Sequence, residues 1–175
     1  CVVFDKNMKA SQPIPWDDRC FANVTTSVCD MDSVNSCRYY IANLKEKPVI
    51  ACIAGSDGVE DSFSSMDKMH VFYRKLLKLS CEKDIEGLNE YLEEFLPELS
   101  SIGSRDDITI SGLIDIDSVK PFLAKMDIEN DIVDAEDEIS RVDDKLKSMS
   151  RKMEYLQKQY DSFIQQSSQI LQKYN

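Results

Sequence analysis

Residues 49–58 read VIACIAGSDG, a continuous apolar run that ends in a turn containing two glycines. An uninterrupted apolar stretch of this length, bounded by turn residues, predicts a β-strand that is buried on both faces. Gly55 and Gly58 allow the backbone conformations and the close approach that a tight turn needs. The sequence therefore predicts that Asp57 lies at the end of a buried strand.

A second strand is predicted at residues 108–114, where apolar and polar residues alternate after the polar loop SRDD at 104–107. If this strand lies antiparallel beside the strand at 49–54, the end of one meets the start of the other. Asp57 and Asp106 then lie close together. Clustered carboxylate oxygens are the ligands that hard divalent cations prefer, so this pair predicts part of a metal site.

Two helices are predicted between the strands, at residues 67–79 and 84–99, because apolar residues recur there at intervals of three and four. Asp84 is well suited to cap the second helix. The first 48 residues give mixed signals: a proline-rich turn at 13–16 and a run at 24–28 that fits a strand or an edge. The order of strand, two helices and strand predicts an α+β fold.

Composition and charge exclude several classes of protein. A net charge of -11 over 175 residues disfavours binding to nucleic acid or to an anionic membrane surface, because both need clustered Lys and Arg. No apolar run approaches the roughly 18 residues of a membrane span, and no signal peptide is recognisable. The six cysteines form no C-x-x-C pair, which indicates reduced thiols, and the single histidine, His70, is expected to be an ordinary helix residue. We expect a cytoplasmic protein.

The aspartates also have simpler interpretations. Asp57 could hydrogen-bond its own backbone beside Gly58, as Asp commonly does in turns. Asp106 and Asp107 could face water in a loop. The order of the elements favours metal binding for Asp57 and Asp106, whereas both interpretations of Asp61 stay open.

The last third of the chain has a different pattern. From residue 128 onward apolar residues recur in alternating steps of four and three, which average 3.5 and predict a left-handed coiled coil of about 70 Å. Such a helix is expected to need a partner, either a second copy or another protein, although a helix folded back on its own domain is the alternative. Neither oligomer number nor helix direction follows from the pattern. Only Ser167 interrupts the stripe, which consists of Ile128, Ile132, Ala135, Ile139, Val142, Leu146, Met149, Met153, Leu156, Tyr160, Phe163, Ile170 and Tyr174.

Residues 49–114, with an S-D-G-V-x-D turn at 56–61 and a closing S-x-D-D-I-T-I strand at 104–110, resemble a known family. They are similar to the C-terminal half of the type 2C metal-dependent serine/threonine protein phosphatases, most closely the bacterial branch. The resemblance implies a partial α-β-β-α sandwich with two or more Mg²⁺ or Mn²⁺ ions that activate a bridging water. It also implies that Asp57 and Asp106 bind metal, that Asp61 lies near an additional ion, and that Asp107 orients the loop.

The chain departs from the family's pattern before Asp57. No D-G-x-G or similar turn occurs there, and no motif assigns phosphate binding to Arg19 or Arg38, for which surface ion pairing is the simpler interpretation. We therefore expect the catalytic centre to be incomplete in this chain, whose start at Cys1 suggests processing or an absent upstream part.

The hypothesis divides the chain into residues 1–116, the C-terminal portion of a phosphatase-like domain, and residues 117–175, a linker and a coiled-coil helix. The predicted activity is metal-dependent hydrolysis of phosphoserine and phosphothreonine in proteins. The alternative is a non-catalytic, phosphatase-like interaction protein that assembles through its coiled coil.

Overall fold

The computed structural model describes residues 1–15 and 29–173. The strands are β1 (Val2–Asp5), β2 (Ala10–Ser11), β3 (Val49–Gly55) and β4 (Ile110–Ile114). The helices are α1 (Ser33–Ser36), α2 (Asp57–Asp61), α3 (Met66–Glu82), α4 (Ile85–Ile102), α5 (Ile116–Val119) and α6 (Leu123–Lys173), with a 3₁₀ turn at Lys120–Phe122. The predicted run at 24–28 and Arg19, together with Trp16, Cys20 and Tyr174, lie outside the described residues.

The described strands form an antiparallel sheet in the order β2-β1-β3-β4. The predicted antiparallel pairing of the two long strands is confirmed, and Gly55 at the end of β3 lies opposite Ile110 at the start of β4. This register brings the segment after β3 beside the segment before β4. The two acidic loops therefore meet at one end of the sheet.

The core lies between one face of the sheet and α3. Val2 and Phe4 of β1 pair with Ile53 and Ala51 of β3, and all four are almost fully buried. The apolar side of α3 covers them with Met69, Phe72, Tyr73, Leu76 and Leu77. One β layer with helices against it confirms the α+β class and is consistent with a partial phosphatase sandwich. Strand β3 is less buried than predicted, because Cys52 and Ala54 on its other face are only partly covered.

Both predicted helices between the strands are confirmed, and each is longer than expected. The side chain of Ser65 caps α3 by accepting the N–H of Lys68 at 3.3 Å, and Asp84 caps α4 by accepting the N–H of Gly87 at 2.9 Å. The rings of Phe72 and Phe95 stack with their centroids 5.4 Å apart. This aromatic contact holds α4 against α3.

The β1–β2 hairpin was not predicted from the sequence. Its strands have only four and two residues, which is too short for alternation to stand out. The turn is closed by Asp5, whose Oδ1 accepts the backbone N–H groups of Asn7 at 2.7 Å and Lys9 at 3.0 Å. Met8 adopts a positive φ of 64° in this turn and is fully buried.

The chain divides into two compact units, Cys1–Asn130 and Asp131–Asn175. In the first unit the beginning of α6 packs on α3: Met126 is fully buried, and Lys78 binds Asp127 at 2.8 Å. The second unit continues α6, so the predicted long helix is confirmed. The division into residues 1–116 and 117–175 stays a prediction. Among the described residues, none of the helices combines the length and the apolar composition that a membrane span requires.

Candidate metal centre

Asp57 lies at the junction between β3 and α2. The sequence predicted a tight turn here, but Asp57 is the first residue of a short helix that begins directly after Ser56. Its Oδ1 accepts the N–H of Gly58 at 3.0 Å, and the residue is exposed. The local hydrogen bond expected of a turn aspartate is therefore formed, and it uses one of the two carboxylate oxygens.

Asp106 lies in the loop before β4 and is arranged in the same way. Its Oδ1 accepts the N–H of Asp107 at 2.8 Å, while Ser100 donates its hydroxyl to the carbonyl oxygen of Asp106 at 2.8 Å. Both Asp106 and Asp107 are exposed. In both Asp57 and Asp106, a hydrogen bond from the backbone N–H of the next residue orients the carboxylate. The second carboxylate oxygen of each has no hydrogen-bond partner among the described residues.

Ser56 joins the two acidic segments. Its backbone N–H donates to the carbonyl oxygen of Thr109 at 3.0 Å, and its hydroxyl donates to the carbonyl oxygen of Asp107 at 3.1 Å. The same hydroxyl oxygen accepts the N–H of Thr109 at 3.1 Å. Ser56 was not predicted as a site residue, although a serine directly before an Asp-Gly pair is a recognisable helix-capping signal.

Gly58 allows the two segments to touch. A Cβ atom at this position would lie 2.7 Å from the carbonyl oxygen of Asp107 and 3.3 Å from Cγ1 of Ile108. The backbone of α2 therefore packs directly on the backbone of the other acidic loop, and only glycine fits without displacement. Because Asp57 precedes Gly58 and Asp106 precedes Asp107, the structure brings the two segments that carry the predicted metal ligands into contact.

A second serine fixes the far end of α2 to the same loop. The hydroxyl of Ser62 donates to the carbonyl oxygen of Gly58 at 2.6 Å, lies 3.0 Å from Oγ of Ser104 and accepts the N–H of Ser104 at 3.2 Å. A Cβ on Gly103 would lie 2.6 Å from Cβ of Ser62. No sequence pattern signals this contact, because it joins residues that are 42 positions apart.

Asp61, the third predicted ligand, is the last residue of α2 and is exposed. It lies one helical turn beyond Asp57, so the structure places it on the same short helix as Asp57. Glu60, which lies between Asp57 and Asp61 in the sequence, is half-buried. Burial raises the pKa of Tyr73, and the negative charge of Glu60 adds to this effect. The surface around α2 and the facing loop is thus rich in carboxylates.

These residues suit Mg²⁺ or Mn²⁺ by chemistry, since both ions prefer carboxylate oxygens held by a preformed backbone. Among residues 1–15 and 29–173, however, no group of three or more His, Cys, Asp or Glu side chains converges on a point where an ion could bind. The described residues therefore supply fewer than three such side chains to any one ion, and metal binding by Asp57 and Asp106 stays a prediction.

Of the two basic residues considered for phosphate binding, only Arg38 is among the described residues. Arg38 donates from Nη1 to the carbonyl oxygen of Pro15 at 3.3 Å, and Arg19 lies outside the described residues. Arg105, which was not predicted as a site residue, immediately precedes Asp106 and adopts a positive φ of 61°. A non-glycine residue with this φ is uncommon, and such residues are enriched at functional sites.

His70 lies on α3, as predicted, with its Nε2 buried and without a hydrogen-bond partner in the described part of the chain. Burial is the main cause that lowers the pKa of His70, and the positive charge of Arg74 adds to it, whereas Asp67 opposes it. Cys1, Cys37, Cys52 and Cys81 form no disulfide among the described residues.

A family model described as protein phosphatase 2C matches residues 1–97. This range includes Asp57 and Asp61 and ends before Asp106. The family is generally dependent on Mg²⁺ or Mn²⁺. No curated protein and no solved structure matches the chain. Because the match covers more than half of the 175 residues, the chain belongs to the protein phosphatase 2C family.

Proposed function

We propose that this chain takes part in the metal-dependent hydrolysis of phosphoserine and phosphothreonine in proteins. In this proposal residues 1–116 are the C-terminal portion of the phosphatase domain, and residues 117–175 are a linker and a coiled-coil helix that binds a partner helix. The observation that carries the proposal is the backbone contact of the Ser56–Gly58 segment with Asp107, which supports joint binding of one cation by Asp57 and Asp106.

Each residue has a distinct role in this proposal. Asp57 and Asp106 hold Mg²⁺ or Mn²⁺, and Asp61 contributes to an additional ion. Asp107 orients the loop, since its carbonyl oxygen accepts the hydroxyl of Ser56. A bound divalent cation supplies Lewis-acid activation of water and neutralises phosphate charge, without which a carboxylate cluster repels a phosphomonoester. The remaining ligands and the phosphate-binding residue come from outside the described residues.

A cytoplasmic location and a bacterial origin stay predictions. Cys1, Cys37, Cys52 and Cys81, which form no disulfide among the described residues, fit a reducing compartment, in which disulfides are rare.

Metal binding by the chain itself is the first test, because it does not require activity. Calorimetric titration with Mn²⁺ is expected to show binding that Asp57→Asn and Asp106→Asn each weaken strongly. Asp61→Asn is expected to affect only an additional, weaker site. Asp117→Asn is a matched control, since Asp117 is a highly exposed aspartate in α5. Equal affinity of Asp57→Asn, Asp106→Asn and the parent chain would remove the basis of the proposal.

Phosphate release from a generic phosphoserine peptide, with and without Mn²⁺, tests the reaction. In a form of the protein that contains the complete catalytic centre, we expect release that depends on Mn²⁺, disappears in Asp57→Asn and is retained in Asp117→Asn.

The second candidate function is a non-catalytic interaction protein. The specific observation in its favour is that the described residues offer no group of three or more ligating side chains. Absence of phosphate release in every form, together with self-association through α6, would establish this alternative.

A further inference from the structure

The apolar stripe of α6 is exposed to water between Ile132 and Ile170, in the second unit. Its large side chains from Ile132 to Ile170 are each at least about half accessible, for example Ile139 at 68% and Phe163 at 67%. A helix with such a stripe is stable in water only when a partner covers it. The chemistry of that partner can be inferred from the charges beside the stripe.

The charges along this part of α6 are separated by sign. Residues 131–144 contain seven Asp or Glu and one Arg, which gives a net charge of -6 (1 − 7), whereas residues 145–158 contain five Lys or Arg and one Glu, which gives +4 (5 − 1). The two segments are equally long and together span four heptads. A second copy of the same helix is thus complementary to the first when the two run in opposite directions.

The residues that flank the stripe distinguish the two possible helix directions. Each heptad of the stripe has two core positions, and one flank consists of the residues that directly precede the first of them. This flank carries Asp131, Glu138, Lys145 and Lys152 in order. In an antiparallel pair this flank faces itself, so that Asp131 lies near Lys152 and Glu138 near Lys145 of the second copy. By symmetry each of these attractive pairs occurs twice.

The other flank carries Glu136, Asp143, Ser150 and Gln157. In the same antiparallel register Glu136 faces Asp143 of the second copy, so the balance is four attractive contacts against two repulsive ones. In a parallel, in-register pair each flank faces the opposite flank. Asp131 then meets Glu136 and Glu138 meets Asp143, which gives only like-charge contacts, and both lysines face uncharged residues.

We infer that residues Asp131 to Lys152 of α6 bind the same residues of a second copy of this chain in antiparallel orientation, with residues 131–138 beside residues 145–152 of the second copy. This inference deepens the coiled-coil part of the proposed function, on which it rests, and does not depend on phosphatase activity. It names the partner and the helix direction, which the heptad pattern alone leaves open.

Sedimentation equilibrium of the intact chain at low ionic strength tests the inference. The expected mass is that of a dimer, with a dissociation constant that rises as salt is added, since salt screens the charge pairs. A monomer at all concentrations, or an assembly of three or more chains, would overturn it.

A double charge reversal distinguishes antiparallel from parallel association, because it raises the dissociation constant in one case and lowers it in the other. Asp131→Lys with Glu138→Lys turns attractive contacts into repulsive ones in the antiparallel dimer, and we expect the dissociation constant to rise about tenfold or more. In a parallel dimer the same change replaces repulsion with attraction, so tighter association would overturn the antiparallel assignment. An unchanged constant would show that these charges do not set the orientation.

The matched control is Asp137→Lys with Asp144→Lys. It introduces the same charge change at the same spacing of seven residues, but on the outer side of the helix, opposite the stripe. It removes at least the ion pairs of Asp137 with Arg141 and of Asp144 with Lys147, and such pairs along one helix contribute little. We expect at most about a twofold change in the dissociation constant, and a loss as large as in the flank variant would contradict the inference.

A reversal of the basic residues gives an independent check. Lys145→Glu with Lys152→Glu is expected to weaken an antiparallel dimer about as much as the acidic reversal and to leave a parallel dimer almost unchanged. Mn²⁺ titration of the same preparations distinguishes failure of this inference from failure of the proposed phosphatase, because the two measurements concern different units of the chain.

Discussion

The hydroxyl of Ser56 donates to the backbone carbonyl of Asp107 at 3.1 Å, across 51 positions of sequence. This bond, together with the bonds between Ser56 and Thr109, continues the contact between β3 and β4 beyond the last paired residues. It is the point at which the two aspartate-bearing segments are fixed to each other. Removing it should therefore affect both the fold and the candidate metal centre.

Ser56→Ala removes the side chain that bridges these segments. We expect a loss of about 1 kcal/mol in the free energy of unfolding, as is typical of one lost hydrogen-bonding group, and a weaker affinity for Mn²⁺. Urea unfolding and calorimetry measure the two effects. Ser101→Ala is the control, because the Ser101 hydroxyl bonds only within α4, to the carbonyl of Glu98. Loss of stability without any loss of Mn²⁺ affinity would argue against a positioning role.

Gly58→Ala places a methyl group 2.7 Å from the carbonyl oxygen of Asp107. The backbone on both sides must move, so we expect a loss of about 1–3 kcal/mol in the free energy of unfolding. Gly112→Ala in β4 is the matched control, since its nearest contact would be an ordinary 3.4 Å. Equal stability of the two variants, measured by urea unfolding, would show that the two loops are not in tight contact.

Arg105 adopts a φ of 61°, a conformation that costs a residue with a Cβ roughly 1–2 kcal/mol. Arg105→Gly should therefore be more stable than Arg105→Ala by about 1 kcal/mol in urea unfolding. The alanine variant is the control for loss of the guanidinium group, because both variants remove it. If alanine is as stable as glycine, the residue does not hold this conformation.

Stability should depend on pH through His70. The folded protein lowers the pKa of His70 below its ordinary value of 6.5, so the unfolded chain binds a proton more readily as the pH falls through that value. The free energy of unfolding is expected to be unaffected by His70 above this range and to decrease below it.

His70→Gln tests the assignment of this effect, because His70 is the only histidine in the sequence. Urea unfolding between about pH 5 and 8 should show a flatter profile for the variant than for the parent chain. A parallel decline in both proteins would assign the pH dependence to carboxylates instead.

The sequence predicted the strands and helices in which apolar residues recur at regular intervals or form a long run. The strands at 49–55 and 110–114 and helices α3, α4 and α6 are long enough for apolar spacing to identify them. The β1–β2 hairpin was missed because its pairing with β3 depends on tertiary contact rather than on its own composition. The strand predicted from residue 108 begins instead at Ile110, because the hydroxyl of Ser56 takes the N–H of Thr109.

The candidate site, too, could be predicted from the sequence only in part. The adjacency of the segments carrying Asp57 and Asp106 could be predicted because it follows from two antiparallel neighbouring strands. The contacts that hold these segments, Ser56 with Asp107 and Ser62 with Ser104, could not, since each depends on the exact distance between residues that are 51 and 42 positions apart. Spacing in a sequence does not encode such distances.

The close packing of Gly58 on Asp107 has a consequence for the thermodynamics of cation binding. Closing a loop of some fifty residues has an entropic cost, and here the cost is met when the chain folds. In the proposed function, a cation would bind between two segments that folding has already joined, so little conformational entropy would be lost on association. The affinity would then be determined by how many oxygens surround the ion, and every additional carboxylate or carbonyl oxygen would tighten binding almost in full.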